Sequence, residues 1–400
     1  MVTLQTAENA LKNVYLGVVA NQLNVKTNPL LARIKHSSKD VWGKEIRKLA
    51  PFGINGGIGA GSEIASLPQS SANGYVQFVS ELKNLYGKIE ISDKALRASA
   101  NNIGAFVNLL SDEMEGLVKA SAFNLGRMLY GDGSGELAAV SSNETSNFIT
   151  VSKTNNFMEG MLIDIYNGDS KINTQPIKIL YVDRDQCKIL LDQTLAVSGS
   201  LKIYLQGSKG YEITGLGKIF DTEATTLYGV SKTDYPWLKP YVQTGDTEIS
   251  ETLIQNAIDY LDENKDSQVN YISCASNVRR LYQEHLAAYR RNIDIMELEG
   301  GYKTITHNGI PVVADRFVDK GTMYLLNTND FTMHELCDWK WLEGEDGRVL
   351  KQNQGYPTYS ATLVKYAELI CDKPCGQAKI TDIKPSDEIE SERIPVDLGE

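Results

Sequence analysis

The spacing of the hydrophobic positions changes several times along the chain, and each spacing predicts a different element. Residues 4–23 place most of their apolar side chains on one helical face, which predicts an amphipathic helix. The stretch "GINGGIGAGSEIASLPQ", which begins at Gly53, has no period and is too rich in glycine to bury much by itself. Two β-rich runs follow, Tyr75–Leu82 and Leu85–Ile91, and we predict that they form a long β-hairpin.

The clearest helical pattern follows Asn101 and Asn102, either of which can cap it. Its apolar residues recur at steps of three and four, with one longer gap: Ile103, Phe106, Val107, Leu110, Met114, Leu117, Val118, Leu125, Met128 and Leu129. The pattern predicts a helix of about 28 residues, or about 42 Å. Glycines weaken a helix interior, so we expect Gly104, Gly116 and Gly126 to permit close packing.

The second half of the chain alternates between β and α/β patterns. Short β runs between residues 147 and 206, separated by turn residues, predict a small all-β module, either a barrel or a sandwich. Helices then alternate with strands; Ser250 is a candidate cap for the first helix, and Ser276 or Asn277 for the second. The ending is β-rich, and residues 382–400 lack any period, as is typical of a loose tail.

Composition is that of an ordinary globular protein, with 42% hydrophobic and 23% charged residues. No apolar run approaches the roughly 18 residues of a membrane span, and the first residues do not resemble a secretory signal. The net charge of −11 argues against a dedicated nucleic-acid reader. The charge is uneven, however: residues 1–50 carry eight Lys/Arg against three Asp/Glu, and residues 382–400 carry two against seven. Both ends are therefore candidate partner-facing segments.

Two motifs could carry an enzyme or metal function, and both match poorly. Gly57 and Gly59 begin a dinucleotide fingerprint, but Ser62 stands where its third glycine belongs. A zinc site could be made of two short-spaced pairs, namely His334 with Cys337 and Cys371 with Cys375. A β-type run would point His334 and Cys337 to opposite faces, so plain thiols are favoured. The five cysteines do not indicate a disulfide framework.

The stretch "HNGIPVVADRF" from His307 to Phe317 collects polar residues around a short apolar run. Asn308-Gly309 is a strong tight-turn signal, since both residues tolerate positive φ. Five extended residues would hold His307 and Asp315 on the order of 20 Å apart, too far to share a proton. We therefore predict a β-hairpin here and not a catalytic loop.

The order of these parts resembles the major capsid proteins of tailed phages, which have the Hong Kong 97-type fold. Three quoted pieces carry the resemblance: "NGGIGAGSEIASLP", "YGKIEISDKALRAS" leading into the long helix, and "NGIPVVAD" followed by "YLLN". The resemblance covers roughly residues 5 to 380. It implies an α+β fold with an N-terminal arm, an extended β-hairpin loop, a long spine helix, peripheral and axial domains, and an inserted small all-β domain.

The resemblance also implies a domain map. The expected parts are the N-terminal arm at 1–55, the extended loop at 56–100, the peripheral domain with the spine helix at 101–146 and 335–381, the inserted β-domain at 147–210, the linker and axial domain at 211–334, and an acidic flexible tail at 382–400.

The implied function is structural and not enzymatic, without a cofactor or a membrane. Hexamers and pentamers of the chain would build an icosahedral shell around double-stranded DNA, assembled in the host bacterial cytoplasm and present in the virion. The implied partners are further copies of the chain, a separate scaffold, a portal and, as an open option, decoration proteins. Candidate interface residues are Lys83, Lys88, Arg279, Arg280, Arg290 and Arg291, and the candidate DNA-facing residues of the arm are Arg33, Lys35, Lys39, Lys44, Arg47 and Lys48.

Two alternatives stay open at this point. An encapsulin-like compartment would share the fold and enclose cargo proteins, although the chain length and the β insertion favour the phage hypothesis. A cytosolic nucleotide- or zinc-dependent enzyme would instead use the glycine-rich segment or the Cys/His set. For Arg279, Arg280, Arg290 and Arg291 the sequence leaves three options open: plain solvent exposure, an ion-paired ring between subunits, or contact with an anion.

Overall fold

The computed structural model describes residues 28–64, 66–94, 103–141, 145–196, 200–289, 295–298, 302–344, 347 and 349–385. The predicted helix at 4–23, the two candidate caps Asn101 and Asn102, and most of the acidic tail lie outside these ranges. The helices are α1 Ile103–Tyr130, α2 Leu216–Ile219, α3 Glu251–Lys265 and α4 Ser276–Tyr289, with short 3-10 turns at Leu31–Arg33, Pro236–Leu238, Thr328–Asp330 and Pro374–Gly376.

The strands are β1 Lys35–Ser37, β2 Val41–Trp42, β3 Glu45–Phe52, β4 Gly74–Glu81, β5 Lys83–Ser92, β6 Glu136–Ala139, β7 Ser146–Thr150, β8 Leu162–Asn167, β9 Ser170–Lys171, β10 Ile177–Asp183, β11 Lys188–Leu195, β12 Leu201–Leu205, β13 Thr226–Leu227, β14 Val230–Ser231, β15 Tyr241–Thr247, β16 Tyr271–Cys274, β17 Ile295–Leu298, β18 Tyr302–His307, β19 Ile310–Ala314, β20 Met323–Leu326, β21 Phe331–Trp341, β22 Lys351–Gln352, β23 Thr358–Cys371 and β24 Ala378–Ile383.

The long helix α1 confirms the prediction made from its apolar spacing, and it spans 28 residues. The expectation of close packing is right for Gly126, where an added Cβ would overlap Asn28 Oδ1 and lie 2.8 Å from the Phe317 ring. It is wrong for Gly116, which has no atom within 4 Å of that position. The packing around Gly104 lies outside the described part of the structure.

Strands β4 and β5 lie where the sequence predicts two strands, but the predicted hairpin between them is wrong. Strand β4 pairs antiparallel with β3, from Gly74 opposite Phe52 to Glu81 opposite Glu45. Strand β5 pairs with β23 instead. A two-residue hairpin turn needs positive φ, and none of residues 82–84 has it. The chain therefore passes at Leu82 from one sheet into the next.

The inserted β module is a closed barrel with strand order β6-β12-β8-β10-β11-β7, and β9 pairs with β8. Val140, just after β6, and Val151, just after β7, form an antiparallel bridge that closes the ring. The inward residues of the strands form an apolar core of their own, which Phe123 of α1 and Phe317 complete. The barrel is therefore fastened to the second half of the long helix.

Two larger sheets form the body of the molecule, and β13 and β14 pair in a separate sheet of two strands. A five-stranded sheet has the order β1-β21-β23-β22, with β5 also paired to β23, and a seven-stranded sheet has the order β15-β24-β20-β16-β19-β18-β17. Apolar residues of α1 (Leu125), β23 (Leu369) and β24 (Ile380) belong to one core cluster that joins both sheets. Helix α3 begins as predicted, since Ser250 Oγ accepts a hydrogen bond from the Leu253 amide at 3.1 Å. The fold is α+β.

Candidate functional site

The segment that joins β3 to β4, here called the tip segment (residues 53–73), presents a large exposed apolar surface. Apart from one short turn it has no regular structure where it is described, and one acidic residue, Glu63, is its whole charge. Its four large apolar side chains are 79–95% exposed: Ile54, Ile58, Ile64 and Leu67. Scattered exposed apolar residues are ordinary, but four within one segment form an apolar surface that the described part of the chain leaves uncovered.

The tip segment folds back on itself because its glycines let the two halves approach. A Cβ at Gly59 would lie 3.1 Å from Pro68, and one at Gly57 would lie 3.1 Å from the Ser71 amide nitrogen. The Gly57 amide donates a hydrogen bond to Asn55 Oδ1 at 2.8 Å. The glycine cluster thus serves a narrow loop between two strands. It does not stand between a strand and a helix, as the nucleotide-binding alternative requires.

An aromatic cluster fixes the base of the tip segment to the body of the molecule. The Phe52 ring stacks on Trp237 with centroids 5.9 Å apart and meets Tyr235 edge-on at 5.7 Å. Phe78 of β4 lies against the same Trp237 at 6.0 Å. Such pairs add about 0.5–1.5 kcal/mol each beyond burial. The strands β3 and β4 are therefore fastened to the body of the chain, whereas the tip segment extends beyond this aromatic contact.

The ribbon of β3 and β4 has one buried and one exposed face. Ile46, Ala50 and Phe78 are fully buried on the inner face. The outer face carries Leu49 and Tyr75, both more than half exposed. This outer face extends the apolar surface of the tip segment along the ribbon.

The six candidate DNA-facing residues of the arm are not equally available. Lys35, Lys39 and Lys44 are exposed. Arg33 lies over the Tyr271 ring, with its guanidinium carbon 5.3 Å from the centroid. Two others pair within the chain, Arg47 with Glu45 at 3.0 Å and Lys48 with Asp372 at 2.7 Å. The three exposed lysines therefore offer the freest positive charge of this set.

The candidate interface residues are spread over two regions. Lys83 and Lys88 both lie on β5, where Lys88 is exposed and pairs with Glu90 at 3.4 Å. Arg279 and Arg280 lie on α4, half-buried and exposed respectively. Arg290 and Arg291 lie outside the described residues. The described members lie on two separate elements, β5 and α4, and their role at an interface stays a prediction.

The stretch from His307 to Phe317 confirms the predicted hairpin. Asn308 and Gly309 have φ of 49° and 81°, and β18 pairs with β19 from His307 opposite Ile310. Buried His307 is hydrogen-bonded through Nε2 to Gln255 Oε1 at 3.1 Å and through Nδ1 to the Tyr282 hydroxyl at 3.0 Å. These contacts hold the turn against α3 and α4, so the role of His307 is structural.

The Cys/His set does not form a metal site in the described part of the chain. No group of three or more His, Cys, Asp or Glu side chains there is placed to hold a metal ion. His334 is buried, and its Nδ1 donates to the Lys39 carbonyl at 3.0 Å. Burial raises the pKa of the Cys371 and Cys375 thiols, which makes them unreactive. No described helix is both long and apolar enough to cross a membrane.

The five-stranded sheet contains buried charged residues that the sequence patterns did not predict. Lys365 is fully buried and lies 2.6 Å from Glu335 Oε2 and 2.7 Å from Asp338 Oδ1. Burial opposes ionisation of Glu335, but hydrogen bonds from His36 and Lys365 outweigh it and lower its pKa to about 2. Burial raises the pKa of Glu368 to about 7, although the Thr214 amide donates to it at 2.7 Å. Lys365 and Glu368 both lie within an otherwise apolar run of β23. That run was the feature of the sequence that could have indicated their burial.

Comparison with known proteins identifies the fold. No family model and no curated protein matches the sequence. A chain of the cyanophage A-1(L) capsid asymmetric unit is similar over 90% of this chain and 94% of that chain, with 13% sequence identity and a TM-score of 0.55. Lower scores of 0.46 are found for the satellite phage P4 procapsid (10% identity, 92% and 98% coverage) and for the holo-SrpI encapsulin complex from Synechococcus elongatus PCC 7942 (9% identity, 90% and 89% coverage).

The fold of this chain is therefore that of a phage capsid subunit. The likeness to the cyanophage chain carries this conclusion, since it spans nearly all of both chains. It confirms, at the level of the fold, the resemblance that the order of the sequence elements indicated.

Proposed function

We propose that this chain is the major capsid protein of a tailed phage or prophage, with the Hong Kong 97-type arrangement of domains. Hexamers and pentamers of the chain would form an icosahedral shell around double-stranded DNA. Assembly would take place in the bacterial host cytoplasm, and the chain's role would be structural and not enzymatic.

The observation that carries this proposal is the exposed tip segment on a capsid-type fold. Its four apolar side chains lack cover within their own subunit. Burying one such side chain is worth about 1.5–3 kcal/mol, so a second copy is the natural cover. A segment that reaches from one copy onto the next makes a head-to-tail contact, and repeated head-to-tail contacts close into rings.

The strand pairing supports the following proposed domain map. We assign the five-stranded sheet and α1 to the peripheral domain, and the seven-stranded sheet with α3 and α4 to the axial domain. The barrel is the inserted domain. The extended loop is the β3–β4 ribbon with its tip segment, in place of the hairpin expected from residues 75–91.

The arm would contact packaged DNA without reading its sequence. Lys35, Lys39 and Lys44 are the exposed cations that support this. Replacing all three with Gln should make the DNA affinity less sensitive to salt, by about 0.9 in the logarithmic slope for each phosphate that is no longer neutralised. Arg47→Gln is the matched control because Arg47 is already paired with Glu45. If the wild type, the triple lysine variant and Arg47→Gln all show the same dependence of DNA affinity on salt concentration, these lysines have no role in DNA binding.

Electron microscopy of the purified full-length protein tests the proposal most directly. We expect closed shells of uniform size or rings of five and six subunits. Nuclease-protected DNA inside shells recovered from cells would support a phage capsid, and packed protein cargo would instead support an encapsulin-like compartment. A persistent monomer at high concentration would refute both.

A further inference from the structure

The outer wall of the barrel carries an apolar patch that a β-bulge creates. Burial alternates along β10 until Leu180, where two successive side chains, Leu180 and Tyr181, both point outward and are 50% and 52% exposed. The register with β11 shifts at this point, between Ile179 and Tyr181. A bulge re-aims side chains in this way, and strict alternation would have turned Tyr181 into the core.

The bulge places these side chains beside two others, and the four together are here called the barrel patch (Phe148, Leu180, Tyr181 and Leu190). Tyr181 lies opposite Leu190 on β11, and Leu190 lies opposite Phe148 on β7, so the patch crosses three adjacent strands. None of the four belongs to the barrel core. The barrel does not need them for its own burial, and Tyr, Phe and Leu together on a surface are typical of a contact with another protein.

The charges around the barrel patch alternate in sign. On β10, Lys178 precedes the patch and Asp183 follows it; on β11, Lys188 precedes it and Asp192 follows it. The strands are antiparallel, and Asp183 lies opposite Lys188. Lys178 and Asp192 occupy the position just beyond the Ile179–Leu191 pair. At these strand positions each end of the patch therefore has one lysine and one aspartate, in opposite order. The turn beyond the Asp183 end adds one charge of each sign, Arg184 and Asp185.

This alternating arrangement is complementary to itself. A two-fold rotation about an axis in the plane of the sheet, along or across the strands, puts every lysine of one copy against an aspartate of the other. The apolar centres then face each other. We infer that the barrels of two copies of this chain dock barrel patch on barrel patch about such an axis. A partner with one dominant charge would meet two like charges, which disfavours it.

The contact is small, so we expect it to form where something else brings the barrels together. Four side chains bury well below the roughly 1,000 Å² of a stable interface. The inference therefore rests on the proposed function, because a shell would supply the high local concentration. Within a shell, the contact would join subunits of neighbouring rings through the inserted domain.

Mixed-isotope cross-linking of the full-length protein tests the inference. Equal amounts of ¹⁴N- and ¹⁵N-labelled protein are assembled, treated with a carbodiimide that joins lysine to a contacting carboxylate, and digested for mass spectrometry. We expect mixed-isotope links from Lys178 and Lys188 to Asp183 or Asp192. Tyr181→Asp should reduce these links roughly tenfold or more, as for a central aromatic in an interface.

The matched control is Ile172→Asp, an exposed apolar residue of the barrel outside the patch, which should leave the links unchanged. Shells that form without mixed-isotope links at these residues, or links that survive Tyr181→Asp in a folded protein, would overturn the inference and leave the proposed function standing. Links found at high concentration in a protein that never forms shells would support the contact and refute the capsid proposal.

Discussion

Lys365 is a charged residue that the fold holds entirely inside the five-stranded sheet. Its ammonium lies between Glu335 and Asp338, at 2.6 and 2.7 Å. Lys365→Met would leave Glu335 ionised and without its buried cation, so we expect the free energy of unfolding, measured in urea, to fall by about 3–5 kcal/mol. Lys340→Met, at an exposed lysine of β21, should change it by less than about 0.5 kcal/mol. Equal decreases for both variants would contradict this assignment.

Glu368 gives the protein a pH dependence of the opposite kind from most carboxylates. Burial raises its folded-state pKa from 4.5 to about 7. Its stabilising contribution is therefore complete below about pH 4.5, where both states are protonated, and it is lost as the pH rises through about 7.

Glu368→Gln should remove this dependence and keep the oxygen that accepts from the Thr214 amide. We expect the change in unfolding free energy between about pH 5 and pH 8 to differ from that of the wild type by roughly 2–3 kcal/mol. Urea unfolding at both pH values measures it. Glu113→Gln, at an exposed residue of α1, is the control and should follow the wild type. A wild-type pH profile in Glu368→Gln would show that Glu368 ionises as easily in the folded chain as in the unfolded one.

At these positions the sequence indicates burial but not the partner. "LVKYAELIC" from Leu363 to Cys371 is apolar except at two charged residues, and such a run predicts a strand buried on both faces. A lysine within it must be buried with a counter-ion. Glu335 and Asp338 precede Lys365 by 30 and 27 residues, and only the pairing of β21 with β23 brings them together.

At the scale of elements, position was predictable, but strand pairing was predictable only where a tight turn joins the two strands, as at Asn308-Gly309. The spacing of apolar residues located α1 and both strands of residues 75–91, because helix and strand periods are local properties of the chain. Strand pairing is not a local property. Lys83 lies opposite Ala367, and the sequence around either residue does not indicate this pairing. The aromatic cluster at the base of the tip segment likewise depends on a contact between residues far apart in the sequence, Phe52 and Trp237.

The glycines of α1 allow a paired test of how the helix packs. Alanine is favoured over glycine inside a helix by about 1 kcal/mol. Gly116→Ala enters open space and should stabilise the protein by about that amount. Gly126→Ala drives a methyl group into Asn28 and Phe317 and should destabilise it. Urea unfolding of both variants measures the difference, and the same sign for both would contradict the described packing at Gly126.

At the scale of the whole molecule, the order of parts identified the fold better than any residue motif. An arm, a glycine-rich loop, a long helix, a β insertion and an α/β region follow one another in a way that few folds share. Individual charges were less informative, because a cation such as Lys48 is neutralised by Asp372, which the sequence places 324 residues away. Charge counts along the chain thus overstate the positive charge that the arm presents.

The tip segment provides the sharpest test of assembly. Ile54, Ile58 and Leu67 are 79–89% exposed, so Ile54→Ser, Ile58→Ser and Leu67→Ser combined should leave the unfolding free energy within about 0.5 kcal/mol. If a second copy buries these side chains, each substitution weakens the association by about 1.5–3 kcal/mol, and the concentration needed for assembly should rise by more than tenfold. Light scattering against protein concentration, followed by electron microscopy, measures this change. The combined variant Ile172→Ser and Tyr356→Ser removes exposed apolar side chains elsewhere and should assemble normally. Normal assembly of the tip-segment variant would mean that other surfaces drive shell formation.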